Sequence, residues 1–393
     1  MRKTITIGDL GTIITGKTPP TTNKNYYGDY AVFIKPTDIS EQSKYTYETE
    51  EMYSKLAAEK YESSLIPKGA ICVPCIGTIG TKMTMAPCDC YTNQSINSIV
   101  CNDNYDNEYV YYLIKNFLPG LKAYNLGTAS GREYVSKSNF EKIEIVAEQD
   151  KNIQKRIGLI LSRYDSLIEN NQKQIKLLEE SAQRLYKEWF VDLRFPGYEN
   201  TKIVDGVPEG WEKKAVDSIY SIKYGKNLST KLISESGDFP VYGANGIIGY
   251  YDKANCNEQV VLITSRGNGS GDVLMTYHKE AFITNNSFIV SPLEDYSYCQ
   301  LPFTYQFLRN ANFRSVRTGA AQPQLTNQSI HTVDVVLPTK GLITAYCEKV
   351  SHSNERIIRL KDQIHLLTEA RDRLLPKLMS GEMDVILENY PAV

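Results

Sequence analysis

The sequence predicts an α/β protein laid out as globule–helix–globule–helix: two β-rich α/β globules and two long coiled-coil helices, a duplicated unit with pseudo-two-fold potential. The helices carry the prediction. Ile157, Leu161, Tyr164, Ile168, Asn171, Ile175, Leu178, Ala182, Leu185 and Trp189 follow one another at alternating steps of four and three, the spacing of a coiled-coil seam. The same layout returns 189 residues later as Tyr346, Val350, Ser353, Ile357, Leu360, Ile364, Leu367, Arg371, Leu374 and Leu378. Off-seam residues repeat too, Gln174 with Gln363, Glu180 with Glu369 and Arg184 with Arg373.

The elements divide as 1–152, first globule; 153–197, first helical spacer; 198–341, second globule; and 342–393, second helical spacer and tail. In each globule short β-like runs alternate with turn residues, as at Ala70–Val73, Ile96–Val100, Val260–Ile263 and Ser287–Val290. One amphipathic helix is expected per globule, over Glu108–Lys115 and Leu301–Arg309. The globules repeat as well. Gly16-Lys17 matches Gly225-Lys226, and Thr92-Asn93-Gln94-Ser95 matches Thr284-Asn285-Asn286-Ser287. Val135, Phe140, Ile143 and Ile145 match Leu325, Ile330, Val333 and Val335. A period near 190 residues indicates domain duplication, not a short-repeat solenoid. Phe195-Pro196-Gly197 should end the first long helix, and Pro376 should break or kink the last turn of the second.

Bulk properties narrow the function. The formal charge of −2 argues against a strongly basic nucleic-acid binder, so any DNA contact must come from local basic loops or from a partner. No apolar run approaches the ~20 residues of a membrane span, and Met1-Arg2-Lys3-Thr4-Ile5 lacks the apolar region of a signal peptide, so the reading is cytoplasmic. Cys72-x-x-Cys75 followed by Cys88-x-Cys90 has the ligand count of a zinc site. The second globule has no cysteine pair at the corresponding place, which favours buried free thiols and no metal.

Catalytic patterns are missing from the sequence. There is no Walker A motif, and the sole Pro-Pro, in Thr18-Pro19-Pro20-Thr21, lacks the aromatic residue a methyltransferase motif needs. Gly267-Asn268-Gly269-Ser270-Gly271 is glycine-rich but precedes no amphipathic helix. Four scattered histidines suggest no acid–base centre. The chain reads as non-catalytic, with no cofactor of its own.

Several segments together resemble one family, the specificity (S) subunits of type I restriction–modification systems. They are Ile34-Lys35-Pro36-Thr37-Asp38-Ile39, Ile66-Pro67-Lys68-Gly69-Ala70, Ile76-Gly77-Thr78-Ile79-Gly80 and Thr92-Asn93-Gln94 in the first globule. Leu185-Tyr186-Lys187-Glu188-Trp189-Phe190-Val191-Asp192 is similar to the family's central conserved region. Leu374-Leu375-Pro376-Lys377-Leu378-Met379-Ser380-Gly381-Glu382 is similar to its distal one. The resemblance spans essentially the whole chain. It implies two target-recognition domains that each read half of a bipartite DNA target, separated by antiparallel helices. Two methyltransferase (M) subunits would dock on those helices, and restriction (R) subunits would complete the nuclease. S-adenosylmethionine would bind M, not this chain. Arg266 and Asn268 stand where Cys75 and Gly77 stand, which suits two different half-sites and an asymmetric target. The alternatives are a type IIB-like specificity subunit and a coiled-coil scaffold without DNA.

A helix over 157–189 spans about 50 Å at ~1.5 Å per residue, alongside roughly 15 base pairs, so the rods would act as a ruler. Base-reading candidates are polar residues of loops: Lys17, Thr18, Lys35, Thr78, Lys82, Asn93, Ser130 and Arg132 in the first globule. In the second they are Lys223, Lys226, Asn245, Arg266, Asn268, Arg317, Gln322 and Gln324. Arg and Lys suit guanine or phosphate, and Asn and Gln suit adenine. Trp189, Phe190, Leu378 and Met379 form apolar clusters at the rod ends and are the expected M-docking surface.

Overall fold

The computed structural model describes residues 1–77, 79–127, 133–319 and 322–385. In chain order the elements that matter are β1 (Gly11–Thr15), β2 (Ile71–Pro74), β3 (Thr84–Met85), β4 (Ile96–Cys101), α1 (Asn107–Phe117) and α2 (Lys151–Tyr186). There follow β5 (Tyr220–Tyr224), β6 (Phe239–Gly243), β7 (Gly246–Tyr251), β8 (Val261–Thr264), β9 (Val273–Met275), β10 (Ser287–Pro292), α3 (Leu301–Asn310) and α4 (Lys340–Ser380). The chain forms two compact units, 1–171 with 363–393 and 172–362. The four-part sequence division sorts residues by element type; by packing, each long helix contributes to both units.

The duplication is written in the sheets. The first unit has a four-stranded sheet in the order β1-β4-β2-β3, and the second has β5-β10-β8-β9. A two-stranded ladder flanks each, Arg2–Thr6 with Glu144–Glu148 and Glu212–Ala215 with Asp334–Leu337. The strand interiors are buried throughout β2 and β8, as continuous apolar runs covered on both faces demand.

Hydrogen-bond register corrects two sequence matches by one residue. Gly16 N–H donates to the Ile96 carbonyl and Gly225 N–H to that of Ser287; Asn93 N–H donates to Ile34 and Thr284 N–H to Tyr242. Asn93 is therefore equivalent to Thr284, and Asn285 to Gln94, because the shared Thr-Asn letters are offset against the ladder. Likewise Cys75 donates to Ser95 and Ser265 to Asn286, so Arg266 stands where Ile76 stands, and by sequence count Asn268 aligns with Thr78. Gly77 and Gly267 then coincide, both with positive φ. The Gly16 and Gly225 equivalence holds: a Cβ at either would run into the carbonyl oxygen of Thr92 or Thr284.

Every seam position named from the sequence is buried or half-buried in α2, its extension or α4. In the first unit Asp165 meets Arg371 and Asn171 meets Gln363. In the second, Gln174 meets Arg356 and the Ala182 carbonyl accepts from Tyr346. Numbers rise on one helix as they fall on the other, so the pair is antiparallel within each unit. The first rod ends earlier than expected: a π-turn over Lys187–Val191 follows Tyr186, and Leu193 takes a left-handed conformation. That widened turn accompanies burial of the adjacent rings Trp189 and Phe190. Nor does Pro376 end the second rod. One further turn persists because Arg2 donates to the carbonyls of Leu378 and Met379, both at 3.0 Å, while Gly381 closes the helix at φ +80. Among the described residues no helix is long and apolar enough to cross a membrane.

Cys72, Cys75 and Cys90 are buried and Cys88 is exposed. Burial pushes the Cys72 thiol up to about 11 and the Cys75 thiol up to about 12. Ser98 Oγ lies 3.3 Å from Cys72 Sγ, so this thiol sits in a hydrogen-bonded core and is not poised as a thiolate ligand.

Candidate nucleic-acid interface

In the second unit, loops from four places in the sequence meet at one end of the β5-β10-β8-β9 sheet. The 265–271 loop is stitched to the 317–325 segment: Leu325 N–H donates to Ser265 at 2.8 Å, Gly267 N–H donates to Pro323 at 2.9 Å, and Arg266 bridges Gln324. Thr318 and Gln324 exchange two backbone bonds of 2.9 Å, two residues from Gln322. Thr264 Oγ1 donates to the Ala244 carbonyl at 2.6 Å, bringing in the tip of the β6–β7 hairpin and Asn245, which abuts Gly269. Lys226 donates to Ile283 and accepts from Asn285, joining the same end. Lys226, Asn245, Arg266, Asn268, Gln322 and Gln324 are thus brought together, all exposed. Lys226 and Arg266 make no ion pair among the described residues, so their charge is open to an anion.

The other two candidates sit apart in character. Lys223 lies on β5 and lines a groove with Ser221, Asn255 and Ser291. Arg317 is half-buried, and its Nε and Nη2 are buried without a hydrogen-bond partner.

The first unit builds the matching end from different side chains. Lys17 and Thr18 are exposed, Lys17 N–H donates to Thr92 at 2.9 Å, and Thr18 Oγ1 donates to Gln94 Oε1. Tyr53 Oη holds the Lys17 carbonyl at 2.5 Å, fixing the loop. Asn93 Oδ1 accepts from Ser95 N–H at 3.1 Å, so its side chain is engaged in an Asx-turn. Lys35 is occupied by Glu50 at 2.7 Å and Glu51 at 3.2 Å. Burial works against its ammonium, but the two carboxylates outweigh burial and hold its pKa above the ordinary lysine value. Lys82 is half-buried in the segment between Gly77 and β3. Thr78, Ser130 and Arg132 lie outside the described residues. Sequence reasoning overlooked Gln94, partner of Thr18, and the isoleucines behind the hairpin tip; Asn245-Gly246 signals a turn there but not which way those isoleucines face.

The side chains expected to dock the M subunits are buried within the units. Trp189 and Phe190 are 5% and 8% exposed and pack with Tyr186, Trp211, Phe303 and Tyr346 in the second unit. Leu378 and Met379 are buried in the core of the first unit. The globules cover these side chains because three or more large rings at a rod end exceed what one helix pair can bury.

Two units, each presenting exposed cationic and amide side chains from loops held by backbone hydrogen bonds, define a class: a paired recognition module. The comparisons make it specific. The model of the type I restriction modification DNA specificity domain matches residues 2–180 and 208–358. The type I restriction enzyme MjaIX specificity subunit of Methanocaldococcus jannaschii is 27% identical, covering 96% of this chain and 93% of that protein. The HindI specificity subunit of Haemophilus influenzae is 35% identical over 44% of this chain and 38% of that one. The crystal structure of an S subunit from M. genitalium shares the fold, with a TM-score of 0.55, 20% identity and coverage of 98% and 97%. The chain belongs to the family of type I restriction–modification DNA specificity subunits. Such a subunit is non-catalytic; methyltransferase and nuclease activities lie in the partner subunits, and DNA, M and R subunits are the partners the family implies.

Proposed function

We propose that each loop cluster reads one half of a bipartite, asymmetric duplex sequence, and that the long helices set the spacing between the halves. The observation that carries this is the recurrence of one loop-bearing frame with different side chains. Lys17, Thr18 and Gln94 occupy it in the first unit, and Lys226, Asn245, Arg266, Asn268, Gln322 and Gln324 in the second. Different residues on equivalent loops select different bases. The helices have 36 and 41 residues, about 54 and 62 Å at ~1.5 Å per residue, enough for roughly 16 to 18 base pairs.

Two M subunits dock along the helices, and R subunits complete the assembly, in the cytoplasm where the DNA is. With the rod-end rings buried, the docking surface is the open side of the helices, where Leu159, Leu167, Leu177 and Leu366 are each half or more exposed. The test is the methyltransferase assembled with this chain and a Lys226→Ala, Arg266→Ala variant. Affinity for the target should fall at least tenfold, with the salt dependence reduced by roughly two counterions. Unchanged affinity and unchanged methylated sequence would remove this loop cluster from the interface.

A further inference from the structure

The β6–β7 hairpin contains a feature that neither the core nor the polar loops explain. Gly243 pairs with Gly246 and Tyr242 with Ile247, but Val241 pairs with Gly249, so Ile248 is an extra residue in the ladder, a β-bulge. In an unbroken strand neighbouring side chains alternate between faces, and one isoleucine would be packed inward. Here Ile247 and Ile248 are 45% and 47% exposed. The opposite strand is buried on both faces, through the adjacent residues Val241 and Tyr242. Bulges re-aim side chains in this way, commonly beside functional sites.

The surroundings identify what meets these side chains. The hairpin tip carries Asn245 against Gly269, and the loop beyond presents Arg266 and Asn268. An apolar pair rimmed by cationic and amide side chains is too small for a protein-docking patch. It fits a base edge. Thymine alone presents an apolar group, its 5-methyl, in the major groove. In the first unit the equivalent strand Ala31–Ile34 pairs antiparallel with Met52–Tyr53 across a longer connection, with no tight hairpin among the described residues. We propose that Ile247 and Ile248 contact a thymine 5-methyl group in the half-site read by the second unit. This rests on the loop cluster being the DNA interface.

The test uses the methyltransferase assembled with the full chain. Each thymine of the target duplex is replaced in turn by deoxyuridine, which removes the methyl group and leaves base pairing intact. At one or two positions in a single half-site, affinity should fall about fourfold. A complex carrying Ile247→Ala and Ile248→Ala should still bind, and should bind thymine and deoxyuridine duplexes equally there. The deoxyuridine series on the unaltered protein needs no variant, so a folding defect cannot mimic the result. Insensitivity to deoxyuridine at every position would overturn the proposal. So would a double variant that keeps the sensitivity, or one that loses the M subunit while the methyl dependence persists. If Lys226→Ala, Arg266→Ala also leaves affinity unchanged, the underlying interface reading has failed; if it weakens binding, only the thymine contact has.

Discussion

Arg371→Ala is the substitution whose cost the structure sets most closely. Arg371 occupies a seam position, where an apolar residue is the rule. Its Nη1 donates to Asp165 Oδ1 at 2.5 Å, and Tyr112 Oη donates to Asp165 Oδ2 at 2.5 Å. The two charged side chains are 7% and 8% exposed, so solvent screens little of the pair. Removing the guanidinium leaves Asp165 charged, buried and held by one hydroxyl. Breaking a buried pair from one side costs about 3–5 kcal/mol. For a unit of about 200 residues, at ~2–4 °C per kcal/mol, the unfolding midpoint should fall by about 6–20 °C. The second unit shows the alternative solution: one repeat later or earlier, Asn354 replaces Asp165 and Ala182 replaces Arg371. The double substitution Asp165→Asn, Arg371→Ala copies that pairing and should recover part of the loss, since no charge is stranded. Far-UV circular dichroism is the assay; both tryptophans, Trp189 and Trp211, lie in the second unit, so their fluorescence should shift less. A fall under about 2 °C for Arg371→Ala, or a double variant less stable than the single, would refute the reasoning.

Lys361 gives a pH signature. Burial pulls its pKa from the ordinary 10.5 down to about 8, against an opposing pull from Glu179. A lysine depressed in the folded state penalises folding below about 8, and the penalty lifts as pH rises toward 10.5. The stability gap between Lys361→Met and the unaltered protein should therefore narrow from pH 7.5 to about 9.5; a constant gap contradicts it. For the thiols, Cys88 should react with a disulfide reagent at pH 8 while Cys72 and Cys75 react only as the chain unfolds; prompt labelling of Cys75 contradicts their burial. Asn171 is 8% exposed in the seam with Nδ2 3.4 Å from Gln363 Oε1, and a buried amide at such a position would fix register at some cost in stability. Asn171→Leu should raise the unfolding midpoint and loosen the strictness of the methylated sequence; a variant with the original strictness would argue against a register role.

The rods and the duplication were legible because a seam of ten positions is a one-dimensional pattern, and its repeat confirms it. Strand order was not spelled out in that pattern, but the β2 and β8 runs and the Gly16 and Gly225 positions were, since burial and close backbone approach each restrict residue type. The misreadings are local. Pro376 signals a stop, yet tertiary hydrogen bonds from Arg2, 374 residues away in sequence, hold the turn that follows. Trp189 and Phe190 look like a docking patch because apolar excess at a helix end does not say which globule covers it. Thr-Asn repeats mislead about register because a ladder counts hydrogen bonds and not letters. Lys35 looked available for a phosphate because Glu50 and Glu51, fifteen and sixteen residues on, had no evident reason to reach it. The Ile247–Ile248 pair was invisible because a bulge changes which face a residue takes without changing the sequence pattern.

The central claim is that one chain supplies two different half-site readers. Sequencing of modified bases in host DNA, with and without the gene, tests it most directly. The account predicts a methylated sequence that depends on the gene and consists of two unlike specified segments separated by an unspecified spacer. An uninterrupted motif, a palindromic one, or methylation that persists unchanged without the gene would contradict it.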